Sequence, residues 1–188
     1  MASPKIGIIM GSASDIPVVE KGTPVLDELG IEYEVAIASA HRTPEDVEGY
    51  AKKARARGIQ ALIAVAGLSA ALPGVVAAAT TLPVIGVPVK GGAIDGMDAL
   101  LSIAQMPPGV PAASVGLNGA KNACLMAARI VAATDCELTK SLRREGITES
   151  PRQPQKTGKP PSSAGRSLLN IFHIKMRRGR THTVYGLF

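Results

Sequence analysis

Apolar positions along the first three-quarters of the chain fall into two recurring patterns. Short, nearly continuous apolar runs alternate with stretches in which apolar and polar residues follow a helical period. KIGIIM at 5–10 is the first run, ended by Gly11, and a helical stretch at 16–29 follows, closed by Gly30. A second strand is expected at 31–38 and a second helix at 43–57, closed by Gly58. The third pair is a strand at 60–65 and an Ala-rich helix at 70–80. Pro73 falls in that helix's first turn, where its missing N–H costs little. Strands at 83–87 and 112–115 and helices at 95–105 and 119–133 complete five strand–helix repeats. Strands apolar at nearly every position are buried on both faces, which marks a parallel sheet covered by helices. Right-handed crossovers then give an α/β fold, a three-layer α/β/α sandwich of the doubly wound type with about five parallel strands. Ligands of such sheets bind beyond the carboxyl ends of the strands, so the loops after strands one to four are where chemistry is expected.

The pattern stops near Arg144. From Glu145 to Ser167 the chain is rich in Pro, Ser, Gly, Gln and Lys and has no period, a composition that cannot offset its ordering entropy. The end carries a short apolar piece at 168–174 and a basic run at 175–180. Two regions are therefore expected: a catalytic domain at 1–144 and a disordered basic tail at 145–188.

Charge sharpens that division. The net charge of +6 is not spread over the chain. Residues 1–135 hold ten Lys/Arg against twelve Asp/Glu, and residues 136–188 hold eleven against three. The basic pI thus belongs to the last quarter, and the main domain has no nucleic-acid signature. The tail's basic run offers only a salt-sensitive phosphate contact, so no specific nucleic-acid partner is expected.

Aromatic residues are only 3% and Trp is absent, so Ala, Val, Ile and Leu fill the core. Cys124 and Cys136 belong to no CxxC or Cys/His cluster and read as buried structural thiols. The start lacks a basic region followed by a long apolar run, and no stretch of about 18 apolar residues occurs. No membrane partner is expected, and the reducing cytoplasm is the expected compartment.

Two loops carry the chemistry. GSASD at 11–15 follows the first strand. Gly11 allows a tight turn, Ser12 and Ser14 offer hydroxyls, and free backbone N–H groups at a helix start would favour a phosphate or another anion. Asp15 would repel a phosphate and is better used as an acceptor for ribose hydroxyls. The alternative is that Ser14 or Asp15 only caps the helix. The loop is neither a GxGxxG fingerprint nor a Walker loop.

SAHRTP at 39–44 follows the second strand. Thr43 as N-cap, Pro44 as first helical residue, and Glu45 and Asp46 in the first turn fix the helix start. His41 and Arg42 are thereby held just outside it, beside Ser39. Arg42 can grip a phosphate or carboxylate with two parallel N–H bonds. His41 is the only histidine in the first 172 residues and so the sole imidazole for proton transfer in this domain. A third loop from Gly67 to Gly74 is small and apolar, suited to an uncharged fragment held away from water. Close helix–sheet packing explains it equally.

GSxSD, SAHRTP, AGxxAxLPG, PVIGVPV and SIAQMPPGVP, in this order and spacing, resemble the phosphoribosylaminoimidazole carboxylase catalytic subunit, or N5-carboxyaminoimidazole ribonucleotide mutase, of purine biosynthesis. The resemblance covers about residues 4–143. It implies a flavodoxin-like sheet, a homo-octamer, and an isomerase that uses no metal, ATP or biotin. It implies that Ser12, Asp15 and Arg42 bind the ribonucleotide and that His41 is the general acid/base. Gly11, Ser14, Ser39 and Gly67 are taken with them as substrate-binding positions. Ala71 stands where many members carry histidine, and Arg42 favours the mutase over direct carboxylases that carry Lys there. The Ala-rich stretch at 119–133 has few long polar side chains, which also points to an oligomer. The competing functions are direct carboxylation of aminoimidazole ribonucleotide, a non-catalytic nucleotide-binding module, and a nucleic-acid binder driven by the tail.

Overall fold

The computed structural model describes residues 5–144, 170–175 and 181–186. The chain divides into two compact units, Met1–Pro151 and Arg152–Phe188.

In the first unit, strands β1 (Ile6–Met10), β2 (Tyr33–Ile37), β3 (Ala61–Gly67), β4 (Val84–Val89) and β5 (Ala113–Ser114) form one sheet of order β2-β1-β3-β4-β5. Every pairing is parallel. This is the flavodoxin-like order, with its switch point between β1 and β3. Helices α1 (Ile16–Val19), α2 (Pro24–Glu28), α3 (Pro44–Ala54), α4 (Leu72–Ala78), α5 (Met97–Ala104), α6 (Ala120–Ala132) and α7 (Cys136–Arg144) cover it. Alternate strand residues feed two cores. Ile8, Met10, Ile63 and Val65 pack with α1, α2, α6 and α7. Ile9, Leu62, Ala64 and Val84 pack with α3, α4 and α5. Each fully buried Ile or Leu contributes on the order of 2 kcal/mol.

Three local outcomes depart from the sequence pattern. The expected helix at 16–29 is two short helices. Pro24 starts the second, and the chain at Gly22 lies so close to α6 that a Cβ there would meet the Ala120 carbonyl group at 2.8 Å. The helix α7 was not among the helices read from the apolar pattern. Asp135 caps it, with Oδ1 accepting from the Glu137 and Leu138 amides at 3.1 Å, and Leu138 and Leu142 anchor it. The alanines of α6 face the protein's own core, with Ala120, Ala123, Ala127 and Ala128 buried, so they do not argue for an oligomer. Other boundaries shift by a few residues, and Gly58 closes the α3 segment at φ +95° as expected.

Cys124 is buried, and that burial pushes its thiol up to about 12; Cys136 is exposed, contrary to its reading as a buried thiol. Among the described residues no helix is long and apolar enough to cross a membrane.

In the second unit, β6 (Asn170–Lys175) and β7 (Thr181–Gly186) pair antiparallel, with Phe172 opposite Val184. The β-branched and aromatic content of NIFHIK and THTVYG suits strands. The rest of the stretch expected to be disordered, 145–169, 176–180 and 187–188, lies outside the described residues.

Candidate active site

The carboxyl ends of β1 to β4 open into one cleft of about 260 Å³. Gly11, Ser12, Ser14 and Asp15 line it from the loop after β1, and Ser39, Ala40 and His41 from the loop after β2. The loop after β3 contributes Gly67, Leu68 and Ala71, and the loop after β4 contributes Lys90 and Gly91. The four loops expected to carry chemistry therefore converge on one space, at the switch point.

The first loop forms a 3-10 turn over Ala13–Asp15 with Ser12 as its cap. Ser12 Oγ accepts from the Ser14 amide at 3.3 Å and from Ser14 Oγ at 2.9 Å. A hydroxyl has two lone pairs and one proton, so Ser12 is left with its O–H to donate to a ligand. The Asp15 amide bonds the Ser12 carbonyl and the Ile16 amide bonds the Ala13 carbonyl. This corrects the expectation of free N–H groups at a helix start: the amides of Ser14, Asp15 and Ile16 are already used, and α1 is a single turn. Anion recognition here falls to hydroxyls and side-chain cations.

Asp15 is the single buried charged residue among those described, at 7% exposure. Burial pushes its carboxyl above the usual carboxylate range, partly countered by a hydrogen bond from the Ser12 backbone. It makes no side-chain cap bond to α1, which removes the capping alternative for Asp15. A carboxylate placed this way retains acceptor capacity for hydroxyl donors.

The second loop is locked by Ser39 and Thr43. The Ser39 amide donates to Thr43 Oγ1 at 3.1 Å, and the Thr43 amide donates to the Ser39 carbonyl at 2.8 Å. The Arg42 amide also reaches Ser39 Oγ at 3.3 Å. Thr43 occupies the N-cap position of α3 but spends its hydroxyl on Ser39 rather than on the helix. His41 is exposed at the cleft wall, open to a bound molecule. Arg42 does not line the cleft. Its guanidinium turns to the first loop, donating from Nη2 to the Gly11 carbonyl at 3.3 Å.

In the third loop Ala70 and Leu72 are buried and Leu68 is exposed at a left-handed φ of +52°. A bulky residue held there stores backbone strain, which clusters at functional sites. Lys90 was not singled out from the sequence. A Lys followed by two glycines after an apolar strand was the available signal. Among the described residues no group of three or more His, Cys, Asp or Glu is placed to hold a metal ion.

The family profile described as AIR carboxylase matches residues 5–150. The chain belongs to this family. Within it, a curated relative from Pyrococcus abyssi named N5-carboxyaminoimidazole ribonucleotide mutase is 52% identical over 141 residues, 75% of this chain and 81% of the relative. A mutase of the same name from Bacillus subtilis is 53% identical, covering 78% of this chain and 93% of the relative. A Saccharomyces cerevisiae protein named phosphoribosylaminoimidazole carboxylase is 52% identical, and the match takes in 77% of this chain but only 25% of that longer protein. The crystal structure of Treponema denticola PurE superposes with a TM-score of 0.69 at 36% identity, covering 77% of this chain and 90% of that one. The AIR carboxylase fold thus accounts for the first unit, and its cleft is the candidate active site.

Proposed function

We propose that this protein converts N5-carboxyaminoimidazole ribonucleotide (N5-CAIR) to 4-carboxy-5-aminoimidazole ribonucleotide (CAIR), a carboxyl transfer in purine biosynthesis. The single observation that carries this reading is the convergence of Ser12, Asp15, Ser39 and His41 on one cleft in a chain of this family. Mutase relatives match over most of their own length, and this supports the mutase over direct carboxylation.

The residues divide the work by chemistry. Ser12, Ser14 and Ser39 offer hydroxyls to the ribonucleotide, and Gly11 and Gly67 admit it close to the backbone. Asp15 accepts from ribose hydroxyls. Arg42 holds the first loop from outside the cleft through the Gly11 carbonyl, and its remaining N–H groups are read as meeting the phosphate at the rim. His41 gives a proton to the carbamate nitrogen. The N–C bond breaks, its electron pair stays on nitrogen, and carbon dioxide is released beside the apolar third loop. C4 of the ring attacks that carbon dioxide to form the new C–C bond, and the C4 proton returns to His41. One imidazole thus serves both proton transfers without leaving the site.

The assembly is read as a homo-octamer working in the cytoplasm. Val35 at 48% and Ile37 at 54% exposure lie on the edge strand β2, and Met126 on α6 is 45% exposed. These apolar side chains support burial between subunits. Residues 145–188 are read as dispensable for chemistry. Mixing the purified protein with N5-CAIR in carbonate-free buffer and following ultraviolet absorbance tests the activity. Conversion of N5-CAIR is the expected result, and reaction only of aminoimidazole ribonucleotide (AIR) with added bicarbonate would reassign the protein as a direct carboxylase.

A further inference from the structure

We infer that Lys90 is the contact for the carboxyl group that migrates, and that it distinguishes carboxylated ribonucleotides from the uncarboxylated one. This rests on the mutase reading above. Lys90 is the only Lys or Arg among the described residues lining the cleft. Its backbone is fixed independently of its side chain. The Lys90 amide donates to Asn118 Oδ1 at 2.9 Å, and the Asn118 amide donates to the Pro88 carbonyl at 2.8 Å. The loop is also seated on its neighbour: a Cβ on Gly92 would come within 2.8 Å of Leu68 Cδ2.

The sheet order places Lys90 relative to the rest of the site. Ser12 and Asp15 follow β1, and Lys90 follows β4, with the β3 loop between them. Neighbouring strands are about 4.8 Å apart, so the two ends are separated by roughly 10 Å. The parallel register pairs Gly67 with Val89, which sets Lys90 level with Leu68 at the rim of the apolar loop. A ribonucleotide whose sugar and phosphate are held by the first two loops extends its ring toward β3. Lys90 stands one strand spacing, about 4.8 Å, beyond the apolar loop, and its four-carbon stem spans that distance to the carboxylate of N5-CAIR or CAIR, which His41 approaches from the β2 side.

The ammonium already has a partner of the right strength. Lys90 Nζ pairs with Asp95 Oδ2 at 3.1 Å, and both side chains are more than half exposed. Such a pair is weak and is exchanged for a ligand carboxylate at little cost. When the carboxylate becomes neutral carbon dioxide, Asp95 is at hand to take the ammonium back. The charge is never left unpaired during the step in which the ligand loses its own.

Calorimetric binding of CAIR and of AIR to the full-length protein tests this, using wild type, Lys90→Met and Lys90→Arg. Lys90→Met is expected to weaken CAIR by about tenfold and to leave AIR unchanged, with Lys90→Arg recovering most of the loss. Equal weakening of both ligands would overturn the assignment in favour of a phosphate contact or a general role in loop structure. Unchanged affinity for CAIR would overturn it as well. Turnover of N5-CAIR by wild type, measured in parallel, tests the mutase reading separately. If CAIR selectivity depends on Lys90 while wild type fails to turn over, that reading fails and this contact stands.

Discussion

Arg42 Nη2 donates to the Gly11 carbonyl across 3.3 Å, joining two loops that are 31 residues apart in sequence. The loop after β1 and the loop after β2 carry all the polar groups that the function assigns to the ribonucleotide, apart from Lys90. The pairing of β1 with β2 sets these loops side by side, and this guanidinium adds a side-chain tie between them. Replacing it by an ammonium removes the planar fork that can hold Gly11 and a phosphate together. Arg42→Lys is expected to raise KM by the equivalent of about 1–3 kcal/mol, with a smaller effect on kcat. An unchanged KM in steady-state kinetics would show that Arg42 serves neither the loop nor the ligand.

His41 is the one imidazole in the first 172 residues, and it faces the cleft. Asn in its place keeps hydrogen-bonding capacity and removes proton transfer. His41→Asn is expected to lower kcat by about 10²–10⁴-fold while KM stays close to wild type. A variant retaining a tenth of normal turnover contradicts the acid/base role.

Asp15 links function to stability. Burial holds its carboxyl above the usual range in the folded protein. In the unfolded chain it titrates near the ordinary aspartate value of about 3.9. The folded state thus binds the proton more tightly, so ionising Asp15 opposes folding as pH rises through and above that value and has no effect below it. Asp15→Asn is expected to raise the thermal unfolding midpoint at neutral pH, with the gain vanishing toward about pH 3.5. The same variant is expected to bind the ribonucleotide more weakly. A lower midpoint at pH 7 would show that the carboxylate stabilises the fold.

The elements buried on both faces were legible because nothing competes with the apolar run. IGIIM, ALIAVAG and VIGVPV are strands in sequence and in structure. The break between α1 and α2 was not, because the reason lies in another element: Gly22 meets Ala120, almost a hundred residues on. The α7 signal was present in Asp135, Leu138 and Leu142, but the polar composition around them masked it. In the site, His41 and the GSASD loop were legible from residue type and position after a strand. The orientation of Arg42 and the arrival of Lys90 were not, since both depend on which loops the sheet order brings side by side.

Every described residue lining the cleft precedes Gly92. Truncation after Arg144 retains α7 with its anchors Leu138 and Leu142. The truncated protein is expected to keep kcat and KM within about twofold, a change below 0.5 kcal/mol, with any difference appearing as an altered oligomer by light scattering. Lost activity in a truncated protein whose oligomeric state is unchanged would mean that residues 145–188 contribute to the site.

In the proposed reaction the carboxyl group passes from nitrogen to C4 of the same ligand inside this cleft. N5-CAIR labelled with carbon-13 in its carboxyl group is incubated with the full-length protein in buffer containing unlabelled bicarbonate. CAIR that retains the label by nuclear magnetic resonance is the expected product. Unlabelled CAIR, formed at a rate set by the bicarbonate concentration, would contradict that transfer.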